Sequence, residues 1–366
     1  MKKIIITGSG GLVGSESVRY FHDLYDEVIG IDNDYRGFLF GEKGSVENNI
    51  KDIKKLDKYH HYNIDIRDYE KILYLVSQEK PDAIIHCAGQ PSHEKSSEIP
   101  YEDFQVNTTG TLNLLELTRL KCKDAVFIFT STNKVYGDRP NNLILKEKKL
   151  RFEFDDIEKE DYSFKGITEK MSIDNTLHSV FGASKVSADI MCQEYGKYFN
   201  MNVGIFRGGC LTGKNHQGTQ LHGFLSYLTK CIVNDNSYTI FGYKGKQVRD
   251  NIHSYDLLNM FWHFYQNPKK GEVYNAGGGR ENSLSVLEAI TMISYIANKK
   301  YENYTISETN RTGDHIWYIT DYSKFKKDFP EWEITYPIEK ILEEMVAYEI
   351  KEKEKNNGIL QSTSTR

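Results

Sequence analysis

The chain has 366 residues, of which 39% are hydrophobic and 27% charged, a soluble globular balance that fits one large α/β domain or two closely packed ones. A formal net charge of −5 gives no footprint for nucleic acid, and no run of 18 apolar residues is present to span a membrane. Cysteines stand singly at 87, 122, 192, 210 and 231, so neither a zinc site nor a disulfide framework is indicated. With the early apolar run broken by glycine at position 8, too soon for a signal core, a cytoplasmic location is expected.

Lys3–Thr7 reads as a buried strand and Leu12–Phe21 as a helix with Leu12, Val13, Val18 and Phe21 inward. Between them lies Gly8-x-x-Gly11-x-x-Gly14. Gly8 permits a tight turn, Gly11 lets the backbone approach a pyrophosphate, and Gly14 lets the helix pack on the strand. The helix N-terminus then offers unpaired amides to phosphates. Val28–Asp32 is a second strand ending in a carboxylate, Asp32, placed to accept from adenosine ribose hydroxyls and to repel a 2′-phosphate. This favours NAD over NADP, although Arg36 nearby keeps NADP open. A charged, loop-rich stretch occupies 33–57. Next come a strand Tyr62–Ile66, a helix over 69–78, a strand Ala83–Cys87, a long helix Phe104–Leu120 and a strand Ala125–Thr130. Strands separated by helices imply right-handed crossovers and a doubly wound parallel sheet of the Rossmann type.

The segment 138–178 is irregular and reads as an insertion or flap. Ser184–Phe199 is helical and Val203–Phe206 a further strand. After 210 the pattern changes to loops, short strands such as Tyr238–Phe241 and helices near 223–233, 255–265 and 284–298. We expect a dinucleotide-binding domain over 1–210, a smaller substrate-binding lobe over 211–350 interleaved with sheet elements, and a flexible tail over 351–366.

The glycine spacing and the motifs C-terminal to it resemble the extended short-chain dehydrogenase/reductase family, the NAD-dependent epimerases and dehydratases. Asp65-Ile66 matches that family's adenine contact, and His86-Cys87-Ala88-Gly89-Gln90 the loop over the cofactor pyrophosphate. Asn107-Thr108-Thr109-Gly110-Thr111 matches the helix motif whose Asn props the sheet. The resemblance implies NAD held by Gly8, Gly11, Leu12, Val13, Asp32, Asn33, Asp65, Ile66, Ala88, Gln90, Asn107, Thr130 and Lys185.

In Thr130-Ser131-Thr132-Asn133-Lys134-Val135-Tyr136-Gly137, Thr132 occupies the position whose hydroxyl bonds the reacting sugar oxygen in the family; a capping threonine is the plainer alternative. The family's Tyr-x-x-x-Lys is here Phe181-Gly182-Ala183-Ser184-Lys185. The lysine is present, but a phenylalanine has no proton to exchange. Loss of a general base typically costs about 10²–10⁴ in rate. Three explanations stand: an engineered change at Phe181, a naturally divergent enzyme with another base, or a cofactor- and sugar-binding sensor without catalysis. We favour the divergent enzyme. His93, Cys210, Glu169 and Lys185 itself are candidate replacements, each with a structural role as the plainer reading.

The substrate half resembles nucleotide-sugar 2-epimerases that act on CDP-linked deoxyhexoses. The residues that carry the likeness are Gln90-Pro91-Ser92-His93, Gly245-Lys246-Gln247-Val248-Arg249-Asp250, and Tyr274-Asn275-Ala276-Gly277-Gly278-Gly279 with Asn282-Ser283-Leu284-Ser285. By that likeness His93, Asn133, Arg207, Arg249 and Arg311 face the substrate, with Arg249 and Arg311 on its diphosphate. A buried structural pair is an equal reading for Arg207. The histidines lack metal-ligand spacing, so no metal is assigned. A 4-epimerase or 4,6-dehydratase is the second reading, but Asn133 and Lys134 stand where a dehydratase usually pairs Asp and Glu. The family's pairing through helices near 107–120 and 181–198 implies a homodimer or tetramer.

Overall fold

Runs of branched aliphatic and aromatic residues form the centre of a wholly parallel seven-stranded sheet. Its strands are Lys3–Thr7 (β1), Glu27–Ile31 (β2), Tyr59–Tyr62 (β3), Ala83–His86 (β4), Val126–Thr132 (β5), Asn202–Gly208 (β6) and Lys270–Ala276 (β7). The order is β7-β6-β5-β4-β1-β2-β3. It reverses beside β1, so a crevice opens at the carboxyl ends of β1 and β4, where doubly wound sheets bind ligands. The structure, a computed structural model, describes residues 1–155, 158–214, 216, 223–310 and 313–363, without the side chains of Lys43 and 356–363.

Both sheet faces are covered. Helix α1 (Leu12–His22) turns Val18 and Phe21 onto Ile4, Ile6 and Val28, beside residues of the later helix Ser254–Gln266. Helices α2 (Tyr69–Glu79), α3 (Gly110–Lys121) and α4 (Ser179–Tyr198) bury Leu75, Leu115 and Cys192 against Ile5, Ile29 and Phe127. A separate core joins Phe224–Asn234 (α5), Val286–Ile296 (α7) and Ile338–Thr363 (α8) through Leu228, Ile232, Ile290, Ile293 and Leu342. The helix Ser254–Gln266 (α6) and β7 return to the sheet from within that later stretch of chain.

Several boundaries differ from the sequence reading. Strand β3 lies at Tyr59–Tyr62, not Tyr62–Ile66, because its pairing with β2 runs Val28↔Tyr59 to Ile31↔Tyr62 and β2 then ends. The stretch 33–57 holds two short helices, Tyr35–Phe40 and Glu47–Ile53. Asp34 organises them, its carboxylate accepting from the Gly37 and Val46 amides and the Ser45 hydroxyl. The helix expected over Phe104–Leu120 is interrupted by a π-helical turn at Gln105–Thr109 that carries Asn107. Helix α4 starts five residues before the expected Ser184, at Ser179. Segment 138–178 packs Leu143, Phe154, Tyr162 and Ile167 around Trp317 and Ile319, which makes it part of a core and not a free flap. The last helix runs on through Thr363, into the stretch expected as a tail. No helix among the described residues is long and apolar enough to cross a membrane.

Candidate active site

The corner between β1 and α1 has no room for a side chain at Gly8 or Gly14. Gly8 has a φ of +66°, and a Cβ there would lie 2.7 Å from the Ala88 nitrogen. A Cβ on Gly14 would lie 2.0 Å from the Gly8 carbonyl oxygen. Gly11 caps α1 with no side-chain bond, and the first turn carries no acidic residue. Asp32 closes the corner. Its Oδ2 accepts from the Gly10 amide and its Oδ1 from the Asp34 amide, both at 2.8 Å. Burial pushes its carboxyl upward. A bare glycine backbone, an uncapped helix end and a carboxylate beside them fit a dinucleotide.

A cavity of about 400 Å³ extends from this corner to the later lobe. It brings together Gly8, Gly11, Leu12 and Val13 from the corner, Gln90 and Asn107 from the next crossover, and Thr130, Thr132 and Asn133 from the end of β5. Phe181, Lys185, His93 and Arg249 line it as well. Asn107 holds the loop after β4: its Oδ1 accepts from the Gln90 amide at 2.9 Å and its Nδ2 donates to Ser184 Oγ at 3.1 Å.

Lys185 is buried, donates from Nζ to the Thr130 carbonyl at 3.0 Å and sits 4.2 Å from the centre of the Phe129 ring. Burial pushes its ammonium down to about 8. Thr132 Oγ1 accepts from the Lys134 amide at 3.2 Å. One helical turn before Lys185, the Phe181 ring meets the His93 ring edge-on with centres 4.8 Å apart. Arg249 donates from Nη1 to the Val248 carbonyl at 2.7 Å and from Nη2 to Asp314. Despite burial, Arg249 and Lys134 hold the Asp314 carboxyl well below its ordinary range.

Other expected site residues lie elsewhere. Arg207 is committed to a buried pair with Asp189 at 2.9 Å and donates to the Tyr136 hydroxyl at 3.1 Å, so it is a structural arginine and no lining residue of the cavity. Asp65 pairs with Arg67 at 2.6 Å and accepts from Asn33 Nδ2 at 3.2 Å, outside the cavity lining. Ile66 is core under Gly110, and the Ala88 amide donates to Thr7 Oγ1 at 3.2 Å. Glu169 accepts from the Asn275 amide at 2.6 Å, away from the cavity. Cys210 lines it, but burial pushes its thiol up to about 12. Arg311 lies outside the described residues.

Sequence reasoning misses Val46 and Asn49, whose surroundings read as loop; Asn49 Nδ2 donates to the Gly10 carbonyl at 2.9 Å. Phe224, Leu225, Ser226 and Asp314, also lining the cavity, carry no motif that marks them. Among the described residues no three His, Cys, Asp or Glu side chains converge as for a metal.

Comparison with known proteins places this geometry among relatives. The model of the NAD dependent epimerase/dehydratase family matches residues 4–277. The chain is 29% identical to CDP-paratose 2-epimerase of Salmonella typhi over 318 residues, 84% of this chain and 89% of the relative. It is 26% identical to a dTDP-glucose 4,6-dehydratase of Escherichia coli over 344 residues, 89% of this chain and 88% of the relative. Its fold is that of dTDP-glucose 4,6-dehydratase from Bacillus anthracis (TM-score 0.75, 22% identity, 97% and 98% of the two chains). UDP-glucose 4-epimerase from Thermotoga maritima shares it too (TM-score 0.75, 24% identity, 96% and 99%).

Proposed function

Because the chain belongs to the NAD-dependent epimerase/dehydratase family, an enzyme family whose cofactor is NAD, we propose that it epimerises a nucleotide-linked sugar, with C2 of a CDP-linked deoxyhexose as the favoured target. The observation that carries the reading is the single cavity joining the glycine corner to Thr132, Lys185 and Arg249. Bound at the corner, NAD supplies a hydride acceptor that can return the same hydride, so net redox is zero. Gly8, Gly11, Leu12 and Val13 cradle its pyrophosphate, Asp32 takes the ribose side, and Lys185 the nicotinamide ribose. Thr132 bonds the reacting sugar oxygen. Arg249 grips the sugar diphosphate, and Asp314 keeps its guanidinium in position until then.

Two features support epimerisation over dehydration: Asn133 and Lys134 line the cavity where the resemblance puts a dehydratase's acids, and the identity to CDP-paratose 2-epimerase, 29%, exceeds the 26% to the dTDP-glucose 4,6-dehydratase. A homodimer fits the exposed apolar side chains of α3 and α4, Leu120 on one and Ile190 and Tyr198 on the other. A cytoplasmic site of action accords with free cysteines.

The test is incubation with CDP-, UDP-, GDP- and dTDP-sugars, followed by absorbance of reduced nicotinamide and analysis of the sugar. Epimer from a CDP-linked deoxyhexose supports the reading. A 4-keto-6-deoxy product would replace it with dehydration.

A further inference from the structure

We infer that His86, at the end of β4, is a positioning residue: a neutral imidazole with its proton on Nε2 that fastens the glycine corner, the loop after β4 and the turn bearing Asn107 into one unit beside Lys185. This rests on the dinucleotide reading above and not on the choice of sugar. The ring is wholly buried. Its Nδ1 lies 2.7 Å from Thr7 Oγ1 and its Nε2 2.9 Å from Thr111 Oγ1. The other partners of the two hydroxyls set the direction of each bond. Thr111 donates to the Asn107 carbonyl at 2.6 Å, so towards His86 its oxygen accepts, and Nε2 carries the proton. On a neutral ring Nδ1 is then an acceptor and takes the Thr7 hydroxyl proton. Thr7 Oγ1 in turn accepts from the Ala88 amide at 3.2 Å. A charged ring is disfavoured: burial, aided by the nearby Lys185 ammonium, pushes the imidazole down to about 3.

The bonds therefore run one way, from the Ala88 amide through Thr7, His86 and Thr111 to the Asn107 carbonyl. Both ends lie at the site. Thr7 directly precedes Gly8, whose added Cβ would meet the Ala88 nitrogen. Asn107 holds the Gln90 amide and Ser184, the neighbour of Lys185. His86 reaches Lys185 by a second route along β5. Its carbonyl accepts from Thr130 Oγ1 at 2.6 Å, and the Thr130 carbonyl accepts from Lys185 Nζ at 3.0 Å. Phe129 touches both side chains, its ring centre 5.5 Å from that of His86 and 4.2 Å from Lys185 Nζ. A neutral imidazole offers one donor and one acceptor on opposite sides of a rigid ring, which an amide or a hydroxyl does not. Moving the proton to Nδ1 would set Nε2 and Thr111 Oγ1 acceptor to acceptor, and Thr111 would have to release Asn107 to repair the contact. Leaving a buried polar group unpaired is costly, so corner, loop and turn hold their positions together.

The experiment uses the full chain with isotope-labelled histidine, with and without NAD. Nitrogen NMR identifies His86 as the ring whose Nδ1 signal responds to T7V and whose Nε2 signal responds to T111V. In the unaltered protein it is expected to show a proton on Nε2 and none on Nδ1, unchanged between about pH 5 and 8, where an ordinary imidazole titrates. T7V and T111V each remove one hydroxyl at nearly constant volume and leave a ring nitrogen unpaired. NAD affinity, measured by calorimetry, is expected to fall at least about fivefold in each, and the Lys185 ammonium signal is expected to shift in T111V. I293V, in the separate core of the later lobe, is expected to lower the melting temperature while keeping NAD affinity and the Lys185 signal, so lost stability alone does not imitate the effect. A proton on Nδ1, a titration within that range, or NAD affinity unchanged in T7V and T111V would overturn this inference alone. A chain that takes up no NAD would overturn the dinucleotide reading and this inference with it.

Discussion

The Gly10 amide donates to the Asp32 carboxylate at 2.8 Å, so the acid at the end of the second strand is fastened to the glycine corner. Asp32 holds the loop, and under the proposed function it also faces a ribose. Asp32→Asn keeps the shape and removes the charge. Hydrogen bonds to charged groups contribute about 1.5–3 kcal/mol, so NAD affinity is expected to fall roughly ten- to a hundredfold. Arg36, which lines the cavity, is expected to make the loss smaller for NADP. Calorimetric titration with each dinucleotide measures both.

At Gly14 the constraint is steric. A methyl group there meets the Gly8 carbonyl oxygen at 2.0 Å, and backbone has no rotamer with which to yield. Gly14→Ala is expected to lower stability by at least about 1–3 kcal/mol and to abolish dinucleotide uptake. Thermal unfolding with and without NAD tests this: the variant should melt earlier, with no upward shift on adding NAD.

Arg207 makes the contrasting case, a conspicuous cation with a structural task. Arg207→Met leaves the fully buried Asp189 without its partner, and breaking a buried pair in this way costs about 3–5 kcal/mol. Denaturant unfolding should register that loss, whereas KM for the nucleotide sugar, measured below the melting range, should hardly move. Adding Asp189→Asn should recover part of the stability.

Lys185 gives a pH-dependent prediction. Burial lowers its pKa from 10.5 to about 8, which corresponds to about 3 kcal/mol of cost for the charged form. A lowered lysine pKa means that the unfolded chain binds more protons between the two values, so stability rises with pH from about 8 towards 10.5. Lys185→Met should therefore stabilise the cofactor-free protein below pH 8, with the gain fading across that window, while activity is lost. Denaturant titrations at a series of pH values check the sign.

The glycine corner and Asp32 are legible in the sequence because each rests on local geometry, a turn that tolerates no Cβ and a strand end; Thr132 and Lys185 are reached by likeness to the family's motifs. Arg249 is reached by likeness in its motif. What stays hidden depends on distant chain. Nothing in the residues around Asn49 says that they pack under Gly10, and nothing local tells Arg207 from Arg249 until Asp189 and Asp314 are seen opposite them. Similarly, β3 is misplaced by its own composition because its limits are set by where β2 stops. Phe181 is visible in the sequence as a departure, but His93 comes from a different crossover, and only the fold brings the two rings to 4.8 Å.

The most direct test is to mix the purified, NAD-loaded chain with a CDP-linked deoxyhexose in a stopped-flow cell and monitor reduced nicotinamide while sampling the sugar. The account predicts a transient rise in reduced cofactor, bound to the protein throughout, and a C2 epimer with no net reduction at the end. A protein that carries no dinucleotide and takes none up would contradict it.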